Sequence, residues 1–87
     1  MKITKSKMIK NSGLGLQDFY LDGKNIGHLR SISVYCSFER KWMVERYEAY
    51  GPDIFQSKTF MVENYSSARS AYAAAKNWLT SILAERA

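Results

Sequence analysis

Cysteine and histidine are almost absent from this sequence, which contains one residue of each, Cys36 and His28. A single cysteine excludes an intramolecular disulfide and a zinc site built from cysteines, and it fits a reducing compartment best. A single histidine leaves no serine or cysteine with a plausible partner for nucleophilic catalysis. Paired carboxylates are missing, and Gly13 and Gly15 lack the Lys-Ser pair of a phosphate loop. We therefore predict a protein that is not an enzyme and uses no metal or cofactor.

Long apolar runs are missing as well. No stretch approaches the ~18 apolar residues of a membrane helix, and no apolar run follows the basic N-terminus as it would in a signal peptide. We therefore expect a soluble, cytoplasmic protein with no membrane partner. The 87 residues suffice for one domain, which buries roughly 60–65% of its unfolded surface. An apolar share of 46% favours a globular fold over disorder.

Acidic residues are absent from the first ten positions, where Lys2, Lys5, Lys7 and Lys10 supply four positive charges. The remaining residues nearly balance, with nine basic and eight acidic side chains, so the net charge of +5 lies mostly at the N-terminus. This asymmetry is typical of a basic arm attached to a neutral domain. We predict that residues 1–13 form a basic N-terminal arm or an edge strand, and that residues 14–87 form a single ββββα domain.

Alternating apolar and polar residues predict the strands of this domain. Asp22-Gly23 separates the first two runs, and this pair is typical of a tight hairpin because glycine tolerates a positive φ. The second run has the clearest alternation, and we assign its apolar face to the core. That face consists of Ile32, Val34, Cys36 and Phe38. Strands are predicted over 16–21, 26–38, 41–50 and about 55–63, with a turn at 50–53 around Pro52.

The third of these strands has two plausible inward faces, because each parity carries an aromatic ring and a charge. One alternative buries Met43 and Tyr47 and turns Trp42 and Arg46 outward, and we favour it. The other buries Trp42 and Val44. Because side chains alternate strictly between the two faces of a regular strand, one of these two alternatives should hold along the whole strand.

A helix is predicted over 64–87, with Ser66 or Ser67 as its N-cap. Its apolar stripe follows the 3.6-residue period and is formed by Ala68, Ala71, Tyr72, Ala75, Leu79, Ile82 and Leu83. The alanines allow the helix to approach the sheet closely. The fold class is therefore α+β, an antiparallel meander of three to four strands with one C-terminal α-helix packed on one face.

One helix covers only one face of such a sheet, so the other face must meet water or a partner. Ten of the twelve aromatic residues lie in or beside the predicted strands, too many for an alanine-rich helix to cover. We therefore expect an uncovered face that mixes aromatic rings with cations. A second copy of the chain, or the N-terminal arm folded over the sheet, would be alternative ways to cover this face.

Two stretches, KWMVERYEAYG and SKTFMVENYSSARSAYAAAKNWL, carry a family resemblance through Trp42, Phe60 and the alanines at 68, 71 and 73–75. Residues 30–83 resemble the GCC-box-binding domain of APETALA-type plant regulators and the amino-terminal arm-binding domain of tyrosine integrases. The resemblance implies a three-stranded sheet that enters the DNA major groove, with a helix packed behind it. Glu45 and Glu48 stand where basic residues would help such binding.

Two functions follow as hypotheses. The first is a small nucleic-acid-binding accessory protein, with DNA as the expected partner, whose tail lysines contact phosphates. The second is a phage or mobile-element protein, for example of the anti-CRISPR type, that binds and inhibits a host protein or nucleoprotein complex as a monomer or homodimer. The candidate contact residues are Lys2, Lys5, Lys7, Lys10, Arg30, Tyr35, Arg40, Lys41, Trp42, Arg46, Tyr47 and Lys58.

Overall fold

The computed structural model describes residues 2–11, 13–53 and 55–85. Within these ranges the chain forms one antiparallel sheet and one α-helix packed on it, so the predicted α+β class is confirmed. The sheet follows the order β1-β3-β4-β5-β6, and β2 also pairs with β3. The elements are β1 (Ile3–Lys5), β2 (Ile9–Lys10), β3 (Leu14–Leu21), β4 (Lys24–Cys36), β5 (Lys41–Tyr50), β6 (Ser57–Met61), a 3-10 turn (Val62–Asn64) and α1 (Ala68–Glu85).

The hairpin between β3 and β4 forms where the sequence predicts it. Asp22 and Gly23 are its two turn residues, and both have positive φ angles, 51° and 85°. Two consecutive positive φ angles match the right-handed twist of the flanking strands, which is why Asp-Gly suits this position. The last predicted strand is shorter than expected, because Phe55 lies in the preceding turn, where it is 90% exposed.

The N-terminal lysines belong to strands at the edge of the sheet. β1 and β2 both pair antiparallel with β3, so the sheet has more strands than the predicted three to four. Between β1 and β2, the Ser6 amide donates to the Asp18 carbonyl at 2.9 Å. The N-terminal segment therefore does not fold over the open face of the sheet. Met1 and Ser12 lie outside the described residues.

A β-bulge in β5 settles which residues face the helix. Arg46 pairs with Ile32 and Val44 pairs with Ser33, so Glu45 has no partner in β4. The extra residue shifts the alternation, and both Tyr47 and Val44 consequently pack on the helix side. Neither predicted alternative holds along the whole strand. Tyr47 is inside and Arg46 outside as favoured, but the outward placement of Trp42 is wrong, because Trp42 shares the face of Val44.

The predicted core face of β4 is also wrong. Ser31 is 1% exposed beneath the helix, whereas Val34 is 47% exposed on the other side of the sheet. The fully buried residues of β4 are Gly27, Leu29 and Ser31, and Ile26 also packs against the core. The strongest apolar alternation in the sequence therefore points away from the core, onto the face that α1 leaves open.

The helix packs as its sequence period predicts. Ala71, Ala75, Leu79 and Leu83 are fully buried along one stripe. Ser67 caps the first turn, its hydroxyl oxygen accepting the Ser70 amide at 3.1 Å. The stripe packs on Phe19, Leu29, Tyr47, Ala49 and Phe60 to complete the core. Arg86 and Ala87, the last two residues of the predicted helix, lie outside the described residues.

Candidate functional site

The predicted contact residues do not form one surface. Arg30, Lys41 and Arg46 lie on the open face of the sheet, by their register with β3 and β5. Tyr47 is only 5% exposed and packs beneath the helix, where its burial raises the pKa of the phenol. The others lie at the N-terminal edge strands (Lys2, Lys5, Lys7, Lys10), at the end of the β4–β5 hairpin (Tyr35, Arg40, Trp42) and on β6 (Lys58).

Exposed aromatic rings mark the end of the β4–β5 hairpin, which extends beyond the N-terminus of α1. Tyr35 and Trp42 pack edge to face with their ring centroids 5.6 Å apart, and both rings are about half exposed. Phe38, in the turn, is 95% exposed. Arg40 completes the turn with a φ of 55°, in the left-handed region. We call Tyr35, Phe38 and Trp42 the aromatic tip.

The open sheet face is electrically balanced near Arg46. The Arg46 guanidinium donates to the carboxylates of Glu45 and Glu48, with a distance of 2.9 Å to Glu48. The Tyr50 hydroxyl donates to Glu48 at 3.0 Å. The hydrogen bond from Arg46 lowers the pKa of Glu48, so this carboxylate stays ionised and keeps Arg46 neutralised. A cation held in this way is a poor partner for phosphate.

His28 lies on the same face, stacked on Tyr50 at a centroid distance of 4.7 Å. Burial lowers its pKa, with a smaller lowering effect of Arg30 and an opposing effect of Asp18. The unfolded chain therefore binds more protons than the folded chain below about pH 6.5, the ordinary histidine pKa. We expect the free energy of unfolding to fall as the pH is lowered from 7 toward 5.5.

Urea unfolding at several pH values measures this effect, and His28→Gln is the control. Because His28 is the only histidine, its removal leaves no side chain with an ordinary pKa in that range. A histidine-free variant that keeps the same pH slope would contradict the prediction.

Apolar residues form a stripe on another part of the open face. The register of the strands brings together Ile9 with Leu16, Leu14 with Ile32, and Val34 with Met43. These six residues, which we call the apolar patch, form a continuous stripe across β2, β3, β4 and β5. Five of them are exposed, from 42% for Leu14 and Met43 to 74% for Ile9. The expected mixture of aromatic rings and cations is therefore absent from this part of the face.

A different surface assembles where β1 and β2 meet α1. The segment between these strands is held firmly, because Gln17 Nε2 donates to the Ser6 carbonyl at 2.8 Å. The Tyr72 hydroxyl donates to Gln17 Oε1, also at 2.8 Å, which links the helix to the sheet. The Asp18 amide donates to the Ser6 hydroxyl at 2.9 Å. The two contacts with Ser6 fix the backbone between Lys5 and Lys7.

Four cations surround Tyr72 on this surface. The Lys5 and Lys76 ammonium groups lie 5.9 Å and 5.8 Å from the centre of its ring. Lys10 and Arg69 line an adjoining cleft together with Tyr72. We call Lys5, Lys10, Arg69 and Lys76 the basic cluster. Sequence reasoning found the two lysines of the strands and missed Arg69 and Lys76, whose seven-residue spacing places them on one side of the helix.

The basic cluster carries uncompensated positive charge. In the described parts of the chain, the ion pairs involve only Lys41 and Arg46 as cations, with Glu39, Glu45 and Glu48 as their partners. The two cation–π contacts with Tyr72 hold Lys5 and Lys76 near each other without neutralising them. Two strands and a helix thus supply four charges of the same sign to two clefts beside Tyr72, one lined by Lys5 and Lys76 and the other by Lys10 and Arg69.

Residues 2–11, 13–53 and 55–85 contain neither a candidate metal site nor a candidate membrane-spanning helix. No group of three histidine, cysteine, aspartate or glutamate residues there has an arrangement that could hold a metal ion. The described helix is not long and apolar enough to cross a membrane. The chain matches no protein-family model, no curated protein and no solved structure.

Proposed function

We propose that this protein is a small DNA-binding accessory protein without enzymatic activity, and that the basic cluster contacts the DNA backbone. The observation that carries the proposal is the convergence of Lys5, Lys10, Arg69 and Lys76 around Tyr72, where no carboxylate among the described residues is paired to any of them. Clustered lysine and arginine side chains bind DNA by displacing the counterions of its phosphates. Holding such charges together without a ligand is unfavourable, so the arrangement favours a polyanionic partner.

The chemistry of the cluster indicates contacts with phosphates rather than with bases. Tyr72 is only partly exposed, packs on Tyr47 at 5.5 Å between ring centroids, and uses its hydroxyl to bind Gln17. It therefore offers no free ring face for stacking on an unpaired base. Lysine and arginine contacts to phosphate position a protein on duplex DNA without reading its sequence.

This proposal locates the DNA contact differently from the families that the sequence resembles. Those domains insert the sheet into the major groove. Here the open sheet face carries aliphatic side chains, and its Arg46 is bound to Glu45 and Glu48. The basic cluster lies on the other side of the sheet, against the helix. Under this proposal the chain binds the same class of partner as those families, DNA, but it contacts the DNA with a different surface.

Fluorescence anisotropy with a labelled mixed-sequence duplex tests the proposal. Four neutralised phosphates give a slope of about −4 for the logarithm of affinity against the logarithm of salt concentration. The double variant Arg69→Ala, Lys76→Ala removes two contacts, so we expect the slope to fall to about −2 and low-salt affinity to drop at least about 10-fold. Arg69 is exposed and Lys76 is not fully buried, so we expect the fold to be retained, and circular dichroism verifies this.

Arg40→Ala, Lys41→Ala is the matched control, because it removes the same two charges from the hairpin end. We expect the control to keep the slope of the unmodified protein. Loss of affinity in the control but not in the cluster variant would assign the DNA contact to the hairpin instead. Undetectable DNA binding at low salt would contradict DNA binding altogether.

A second candidate function is the inhibition of a host protein complex through the aromatic tip. Tyr35, Phe38 and Trp42 are exposed at 53%, 95% and 48%, and tyrosine and tryptophan often dominate the energy of protein interfaces. Affinity capture with nuclease treatment tests this function. It predicts a defined complex that resists nuclease and is lost with Phe38→Ser, whereas DNA-mediated capture disappears with nuclease.

A further inference from the structure

The apolar patch on the open sheet face is left unexplained by DNA binding. It is a continuous stripe formed by Ile9, Leu14, Leu16, Ile32, Val34 and Met43 across four strands, and neither the helix nor the N-terminal segment covers it. Monomeric proteins rarely expose so continuous an apolar surface. We propose that a second copy of this chain covers the patch, so that two open sheet faces pack against each other across a twofold axis.

The residue pattern of β4 also indicates that the open face of the sheet is covered. Its clearest alternation places Ile32 and Val34 on the open face and the small polar Ser31 and Ser33 on the helix side. A solvated sheet face ordinarily has the opposite pattern, with polar residues outward. The alternation of β4 is therefore that of a strand whose Ile32 and Val34 face is packed against a second layer, whereas the single chain supplies a covering layer only for the opposite face.

The distribution of charge favours a second copy over a charged partner. The chain has a net charge of +5, which would keep two copies apart if they met at the basic cluster. The open face instead carries both signs, with Arg46 already bound to Glu45 and Glu48. Two copies can therefore meet there without strong repulsion between like charges, and each basic cluster remains exposed on the outside of the pair.

The area of the open sheet face is comparable to the interface area of a stable dimer. Strands about 4.8 Å apart give the sheet a width of roughly 20 Å, and its central strands of 8 to 13 residues are roughly 25–40 Å long at about 3.3 Å per residue. The open face thus offers roughly 500–800 Å² for each copy, which approaches the area of a standard protein interface. Face-to-face packing at a sheet separation of about 10 Å would place the two apolar patches in contact at the centre.

Sedimentation equilibrium over concentrations from about 1 μM to 1 mM tests the proposal on the full chain. We expect a monomer–dimer equilibrium with no larger species, because a twofold contact is closed. Leu16→Lys and Val34→Lys, made separately, each place two like charges within the interface. We expect either substitution to raise the dimer dissociation constant about 100-fold.

Phe55→Lys is the control, because Phe55 is 90% exposed in the turn before β6 and lies outside the patch. It adds the same charge and should leave the dimer unchanged. Circular dichroism of each variant at low concentration verifies that the monomer is folded.

An unmodified protein that stays monomeric up to the highest concentration would overturn the proposal and assign the patch to a different partner. A dimer that survives both patch substitutions would also overturn it. Neither outcome bears on DNA binding by the basic cluster.

Discussion

Replacing Phe19 by alanine is expected to lower the free energy of unfolding by about 3–5 kcal/mol, the largest loss from any single core truncation in this chain. Phe19 is 1% exposed and has the largest fully buried side chain among the described residues. Its ring lies in β3 beneath the helix and packs within the cluster that includes Leu79 and Leu83. Truncation removes the buried ring and leaves a cavity that the surrounding sheet cannot close. A domain of this size has about 5–15 kcal/mol of stability in total, so much of it is lost.

Phe55→Ala is the control for Phe19→Ala, because the same side chain is removed from a position that is 90% exposed. Urea unfolding at one fixed protein concentration compares the two variants. We expect the urea midpoint of Phe19→Ala to shift strongly. For Phe55→Ala we expect a shift that corresponds to less than about 0.5 kcal/mol in the free energy of unfolding. Equal shifts would show that the sheet and helix do not pack around Phe19.

Replacing Ala75 by leucine is expected to lower the free energy of unfolding by about 1–3 kcal/mol. Ala75 is fully buried on the helix stripe, between Ala71 and Leu79. Alanine at this position allows α1 to lie close to β5, where Ala49 is likewise fully buried. Three additional carbon atoms do not fit between helix and sheet, so the helix must move outward or the leucine must adopt an unfavourable rotamer.

Ala84→Leu is the matched control, because Ala84 is in the same helix and is exposed. Alanine and leucine have similar helix propensities, so the control variant should differ from the unmodified protein by less than about 0.5 kcal/mol. Thermal unfolding followed by circular dichroism makes the comparison. If Ala75→Leu were as stable as Ala84→Leu, the close approach of helix and sheet would be contradicted.

Local signals in the sequence predict the elements well. Asp22-Gly23 has the turn chemistry of a two-residue hairpin, Ser67 caps the helix, and the period of alanine and leucine marks the buried stripe of α1. Each of these depends on residues close together in the chain. Such features can be predicted because propensity, capping and periodicity act over one or two turns of structure.

The faces of the strands could not be predicted in the same way. The bulge at Glu45 changes the parity of β5, so Val44 and Tyr47 pack on the same side. Nothing in the alternation of this strand indicates where the extra residue lies. In β4 the alternation itself was clear, but it identified an apolar face without revealing whether that face meets the helix or remains open.

The basic cluster was only half predictable. The lysines at positions 5 and 10 stood out because the N-terminus lacks acidic residues. Nothing in the sequence singled out Arg69 and Lys76, because they are two isolated cations on the polar side of a helix. Both residues lie near the two lysines because β1 and β2 pair with β3 and because the hydrogen bond from Tyr72 to Gln17 joins the helix to β3.

The sequence by itself determined an α+β chain with a tight hairpin, a capped C-terminal helix and an excess of positive charge at the N-terminus. Only the tertiary structure decided that this charge lies against the helix, that Arg46 is neutralised by its neighbours, and that the most regular apolar face of the sheet is the uncovered one. The physical reason is that turns, caps and periods are local, whereas strand register and the choice of covered face depend on contacts between residues far apart in the chain.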